Sequence, residues 1–144
     1  MEVDRVWCCG LTPRVQAVLM DASALLAPFQ LGLDFERRIG DLVDSKVQFY
    51  VLEDTMRELW SLSESTGRVA SEAKKALKLA ERCRLVRNSS GKGGDEGLIE
   101  SALKLRYAVA TCDSALRARL RDLNIPVFSP TGRRRVRVDG MFIH

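Results

Sequence analysis

Apolar residues along the chain fall into two alternating kinds of run. Short blocks dense in β-forming residues occur at 17–21 (AVLMD), 47–52 (VQFYVL), 107–111 (YAVAT) and 125–128 (IPVF), with a shorter one at 84–87. Continuous apolar blocks of this length read as strands buried on both faces. Between them the apolar residues recur with a helical period. Phe35, Ile39 and Val43 share one stripe; Met56, Leu59 and Trp60 share another, in a helix for which Asp54 is the expected N-cap. Val69, Ala73, Ala76, Leu77 and Ala80 mark a helix over 69–83, Leu98, Ile99, Ala102 and Leu103 one over 96–106, and Leu116, Leu120 and Leu123 one over 114–123. Residues 88–94 (NSSGKGG) read as a flexible loop on composition. The alternation of Arg and Val over 134–138 suits a last edge strand.

The β-α-β-α order predicts an α/β fold: a Rossmann-like three-layer sandwich, with helices on both faces of a mainly parallel sheet of about five strands. No internal repeat or linker interrupts it, so residues 1–144 are expected to form one domain, with 1–13 as an N-terminal extension of unassigned role containing Trp7 and the Cys8-Cys9 pair.

Composition narrows the function classes. An apolar share of 46% with 29% charged residues is that of a globular chain. No apolar run reaches the roughly 20 residues of a membrane span. The opening residues, with Glu2, Asp4 and Arg5 before an apolar stretch broken at Pro13, do not read as a signal peptide, and a cytoplasmic location is expected. The four cysteines, Cys8, Cys9, Cys83 and Cys112, contain no C-x-x-C pair, and the only histidine is His144, which argues against zinc. Cys83 and Cys112 suit apolar strand positions. The net charge of +4 is concentrated late: from Ser101 onward nine basic residues face three acids. A surface of that kind suits a polyanion, although a solvated charged face explains it equally well.

The chemistry lies in the acids at the strand ends. In parallel α/β sheets ligands bind outside the carboxyl ends of the strands. Asp21 ends the first strand, Asp113 follows the strand closing at Thr111, Glu58 sits in the first turns after the second strand, and Asp95 opens the helix beside the glycine loop. Carboxylates gathered together repel and lose hydration, so a cluster implies a cation. Oxygen ligands without histidine or cysteine point to Mg²⁺ or Mn²⁺, ions that polarise phosphodiesters and activate water. Acids within a basic surround argue for a nuclease. Each acid also has a structural reading: Asp95 and Asp113 as helix N-caps, Asp21 as an Asx-turn residue, Glu58 as a solvated helix acid with Glu53 and Asp54 competing for its place. The Gly91-Lys92-Gly93-Gly94 loop lacks the Gly-Lys-[Ser/Thr] of a phosphate loop, and Ser23 stands where an aspartyl-phosphate enzyme would carry a second Asp.

At these residues the sequence resembles the PIN domain, from Val18 onward. Val18-Leu-Met-Asp21-Ala-Ser23-Ala-Leu-Leu26 is similar to the family's strand-end D-[TS]-[NS]-x-L signature. Thr55-Met-Arg-Glu58-Leu59 resembles the helix with the second acid, and Gly94-Asp95 through Ala102 the helix with the third. Val109-Ala-Thr111-Cys-Asp113-Ser-Ala-Leu116, followed by Leu123-Asn-Ile-Pro-Val127, is similar to the T-x-D-x-x-L segment and its closing strand. Ser23 and Cys112 each replace a usual Asn. Ala27-Pro28-Phe29-Gln30 looks most like the archaeal branch near rRNA-processing and toxin-like members. The resemblance implies a sheet in order 3-2-1-4-5 and a metal-dependent ribonuclease using one or two Mg²⁺ or Mn²⁺. It implies Asp21, Glu58, Asp95 and Asp113 as metal ligands or water-orienting groups, with Thr111 and Ser23 as hydroxyl supports. Candidate RNA contacts are Lys92, Arg117, Arg121, Arg133, Arg135 and Arg137. RNA is the expected partner; an antitoxin, a ribosome-assembly partner or a second copy of the chain are further candidates. The alternatives to catalysis are a non-catalytic RNA-binding or ribosome-assembly module and the toxin of a toxin-antitoxin pair.

Overall fold

The computed structural model describes residues 15–43, 46–132 and 134–140. The N-terminal extension, Arg133 and His144 lie outside them. In chain order the elements are β1 (Val15–Met20), α1 (Ala22–Gln30), α2 (Phe35–Leu42), β2 (Lys46–Leu52), α3 (Glu53–Ser63), α4 (Gly67–Ala80), β3 (Arg84–Val86), α5 (Gly94–Leu105), β4 (Ala108–Ala110), α6 (Ser114–Asp122), β5 (Val127–Pro130) and β6 (Val136–Asp139). They build one six-stranded sheet in the order β3-β2-β1-β4-β5-β6. All pairings are parallel except the last, where β6 runs antiparallel to β5. The expected order 3-2-1-4-5 is therefore present, extended by one edge strand.

Strand alternation sorts the core into two layers. Val18 and Met20 of β1, Val51 of β2 and Ala108 and Ala110 of β4 face α1 to α4. Leu19, Leu52 and Val109 face the opposite layer, with Leu98, Ile99 and Ala102 of α5 and Leu116 and Leu120 of α6. The central strands bury both faces, which is why their sequences are apolar without alternation.

Several elements depart from the periodic reading. Helix α1 was not evident from it: Ala22, Ala24, Leu25, Leu26 and Ala27 are all buried, so no polar face marks a helical period, and Pro28 sits inside the helix. Helix α3 begins at Glu53, with Leu52 as N-cap; Asp54 is in the first turn rather than the cap, where its charge still suits the positive end of the helix. On α3 the buried positions are Thr55, Leu59 and Ser63, while Trp60 is 62% exposed. Helix α4 buries Ala70, Ala73, Ala76 and Ala80 and turns Val69 to solvent. Leu103 and Leu123 are likewise exposed. Cys83 and Cys112 lie just outside strands, half-buried at loop ends, and burial pushes their thiols up to about 12 and about 11 respectively.

Candidate metal centre

Strands β1 and β4 are neighbours whose onward connections diverge to opposite sides of the sheet, and the crevice at their carboxyl ends is the switch point of the fold. Asp21 follows β1 directly. Its backbone N–H donates to the Ala110 carbonyl at 3.0 Å, continuing the ladder with β4 by one residue. This brings Thr111 beside Asp21 although 90 positions separate them.

The Asp21 carboxylate is fixed by two hydroxyls. Ser23 Oγ and Thr111 Oγ1 both donate to Oδ2, each at 2.8 Å. A hydroxyl has one hydrogen, so the 3.3 Å approach of Ser23 to Thr111 is a contact between two donors already committed to the same oxygen. Their lone pairs accept in turn: Ser23 Oγ from the Cys112 N–H at 2.9 Å, and Thr111 Oγ1 from the Asp113 N–H at 3.1 Å. Thr111 is fully buried. Asp21 and Asp113 are thus joined through one side chain.

Asp113 is the N-cap of α6, its Oδ1 accepting from the N–H groups of Ala115 at 2.9 Å and Leu116 at 3.2 Å. Asp95, by contrast, is not a cap: Gly93 holds that position in α5 and Asp95 lies within the first turn. Its carboxyl is raised above the usual range by desolvation first, then by Asp21 and Asp113, with Arg119 opposing. Glu58 is raised by desolvation, then by Asp21 and Asp95.

A cleft of about 370 Å³ gathers part of this set. Asp21, Glu58 and Asp95 line it over the apolar floor of Leu52 and Leu98; Asp113 stands outside the lining but near enough to act on Asp95. The donor set is all carboxylate, with no histidine or cysteine in the lining, and suits a hard divalent cation. The acids are spread around the cleft: among the described residues, no three such side chains stand close enough together to hold one ion as they are placed.

The cleft also holds Arg57, which the sequence did not point to, and Asp54, which the sequence offered only as a competitor of Glu58. A signal for Asp54 was present, since it precedes Glu58 by four residues and so shares its helix face. Arg57 Nη2 donates to Asp54 Oδ1 at 3.1 Å. Arg57 is the cation in this lining, whereas the basic residues expected to contact RNA are dispersed and partly engaged. Arg117 is bonded to Asp139 at 2.9 Å with both side chains largely buried. Lys92 is paired with Glu100. Arg137 approaches Ser129 Oγ at 3.4 Å and Asp139 at 4.0 Å. Arg121 and Arg135 are exposed.

A family model described as a PIN like domain matches residues 18–133. The chain belongs to the PIN-like domain family. The matched span of this PIN-like domain begins within β1, ends before β6 and includes Asp21, Glu58, Asp95 and Asp113. Among solved structures, that of the PIN domain endonuclease Utp24 is similar, with a TM-score of 0.70 and 23% identity over 87% of this chain and 92% of that one. At that identity the likeness is one of fold. No curated protein matches. Among the described residues of the PIN-like domain, no helix is long and apolar enough to cross a membrane.

Proposed function

We propose that this PIN-like domain hydrolyses RNA phosphodiester bonds with the help of Mg²⁺ or Mn²⁺. The observation that carries the reading is convergence. Asp21 from the end of β1, Glu58 from α3 and Asp95 from α5 line one cleft, Asp113 stands beside it, and the Glu58 and Asp95 carboxyls are raised in part by these neighbours. Carboxylates gathered in this way repel one another, and a divalent cation would offset that repulsion. The groups that would hold it are Asp21, Glu58, Asp95 and Asp113. Bound there, the ion would polarise the phosphodiester and lower the pKa of attacking water. Ser23 and Thr111 hold Asp21 in one orientation, and Arg57 on the rim offers donors to a phosphate. The fold shared with an endonuclease supports a nuclease reading. RNA is the proposed partner, with an antitoxin, a ribosome-assembly partner or a second copy as candidates for control.

One observation favours a second reading, an RNA-binding or assembly module that does not cleave: as placed, the acids do not form a closed group of three. Incubating the purified protein with labelled single-stranded RNA, in Mn²⁺ and in EDTA, separates the two. We expect cleavage in Mn²⁺, its loss in EDTA, and a reduction of about a hundredfold or more in Asp21→Asn with the fold retained. Binding without cleavage in either buffer would establish the second reading instead.

A further inference from the structure

The segment before α5, whose composition suggested a flexible loop, is closed by a network centred on Asn88. Asn88 Nδ2 donates to Asp54 Oδ2 at 2.8 Å and to the Lys92 carbonyl at 2.6 Å. Its Oδ1 accepts from the Ser90 N–H at 3.0 Å and from Ser90 Oγ at 2.6 Å. All four partners agree on the amide's orientation: two acceptors meet the nitrogen and two donors meet the oxygen. The closed loop then packs on α5 so tightly that a Cβ on Gly97 would lie 2.3 Å from the Lys92 carbonyl oxygen and 2.6 Å from Asn88 Nδ2. Gly97 is two residues beyond Asp95, and Asp54 is one turn before Glu58.

We infer that Asn88 is a positioning residue for the acidic cleft, tying the start of α3 to the start of α5 and so fixing Glu58 against Asp95. The inference rests on the metal-dependent reading above. Asn88 spans two elements that are not adjacent in sequence, and it is bonded on both sides. Without its amide N–H groups, Asp54 and the Lys92 carbonyl lose their shared donor, and the first turn of α5 is free to shift away from α3.

The discriminating variant is Asn88→Asp. It keeps the oxygen that accepts from Ser90, so a role confined to the turn is preserved. It removes both donations and sets a second carboxylate against Asp54. Mn²⁺ binding to the full chain, followed by calorimetry, should weaken about tenfold, the lower end of what is lost when groups that orient a metal site are removed. Hydrogen exchange in the first turn of α5, measured in EDTA, should accelerate. The double variant Asp54→Asn/Asn88→Asp reverses the polarity of the bond to α3 but leaves the Lys92 carbonyl without its donor, so it should recover part of both changes. Unchanged Mn²⁺ affinity and unchanged exchange in Asn88→Asp would overturn the inference while leaving the cleavage reading intact. Wild-type protein that binds no Mn²⁺ would remove the metal reading and this role with it.

Discussion

Asp113 shows why a residue-scale reading of an acid needs both of its oxygens. One oxygen accepts two backbone N–H groups at the start of α6, which is a structural role, and the same side chain helps raise Asp95, which is an electrostatic one. The two roles separate on substitution. Asn caps a helix as well as Asp does, so Asp113→Asn should melt within a degree or two of wild type while losing cleavage. Asp113→Ala should lose cleavage and also about 1 kcal/mol of stability from the missing cap. Equal stability in both variants, measured by thermal melting, would deny the cap; full cleavage by Asp113→Asn would deny the chemistry. The positions of Asp21 and Asp113 at strand ends were legible in the sequence because each follows an apolar block. The roles of Asn88 and Gly97 were not. Asn88 acts through partners 34 positions back and 4 ahead, and the need for glycine at position 97 exists only once the loop has folded onto the helix.

At the scale of elements, the periodic pattern found those with one wet face and missed the one without. Helix α1 is buried on nearly all sides and carries Pro28, so neither a hydrophobic stripe nor an uninterrupted helical composition announces it. The exposure of Trp60, Val69 and Leu123 has the related cause that helix period gives a stripe but not its exact centre. The basic C-terminal region illustrates a different limit. Charge counted along a sequence does not say which cations are already paired, and Arg117 proves to be held by Asp139 inside the α6–β6 corner. Arg121, Arg135 and Arg137 remain with exposed side chains. Replacing these three by Ala should lower the slope of log affinity against log salt for single-stranded RNA by about two, since each phosphate contact contributes roughly 0.7. An unchanged slope in a filter-binding titration would assign Arg135 and Arg137 to solubility at the edge strand and Arg121 to a solvated helix face.

At the scale of the whole molecule, the fold sets the acidic cleft against stability. Glu58 and Asp95 have folded-state carboxyls raised above their ordinary values of 4.5 and 3.8, by desolvation first and then by their acidic neighbours. In the window between the ordinary and the raised values the folded chain keeps protons that the unfolded chain has released. Stability must therefore fall as pH rises through that window, and the penalty is complete above it. The double variant Glu58→Gln/Asp95→Asn carries no such penalty. In EDTA it should melt above wild type at neutral pH, and the difference should shrink as pH falls through the ordinary values of 4.5 and 3.8 and vanish well below them, where both carboxyls are neutral whether the chain is folded or not. Mn²⁺ should reverse the order. At about a hundred times its Kd, an ion that binds only the folded state adds about 2.7 kcal/mol, on the order of 10 °C for a domain of this size. Wild type should gain that increment and the double variant should not, so the two melting curves cross as metal is added. Parallel curves at every pH would mean that the acids neither repel in the folded state nor share an ion. The crossing would show that the carboxylates are kept at a cost to the apo fold that metal binding offsets, as expected of a site retained for function rather than packing.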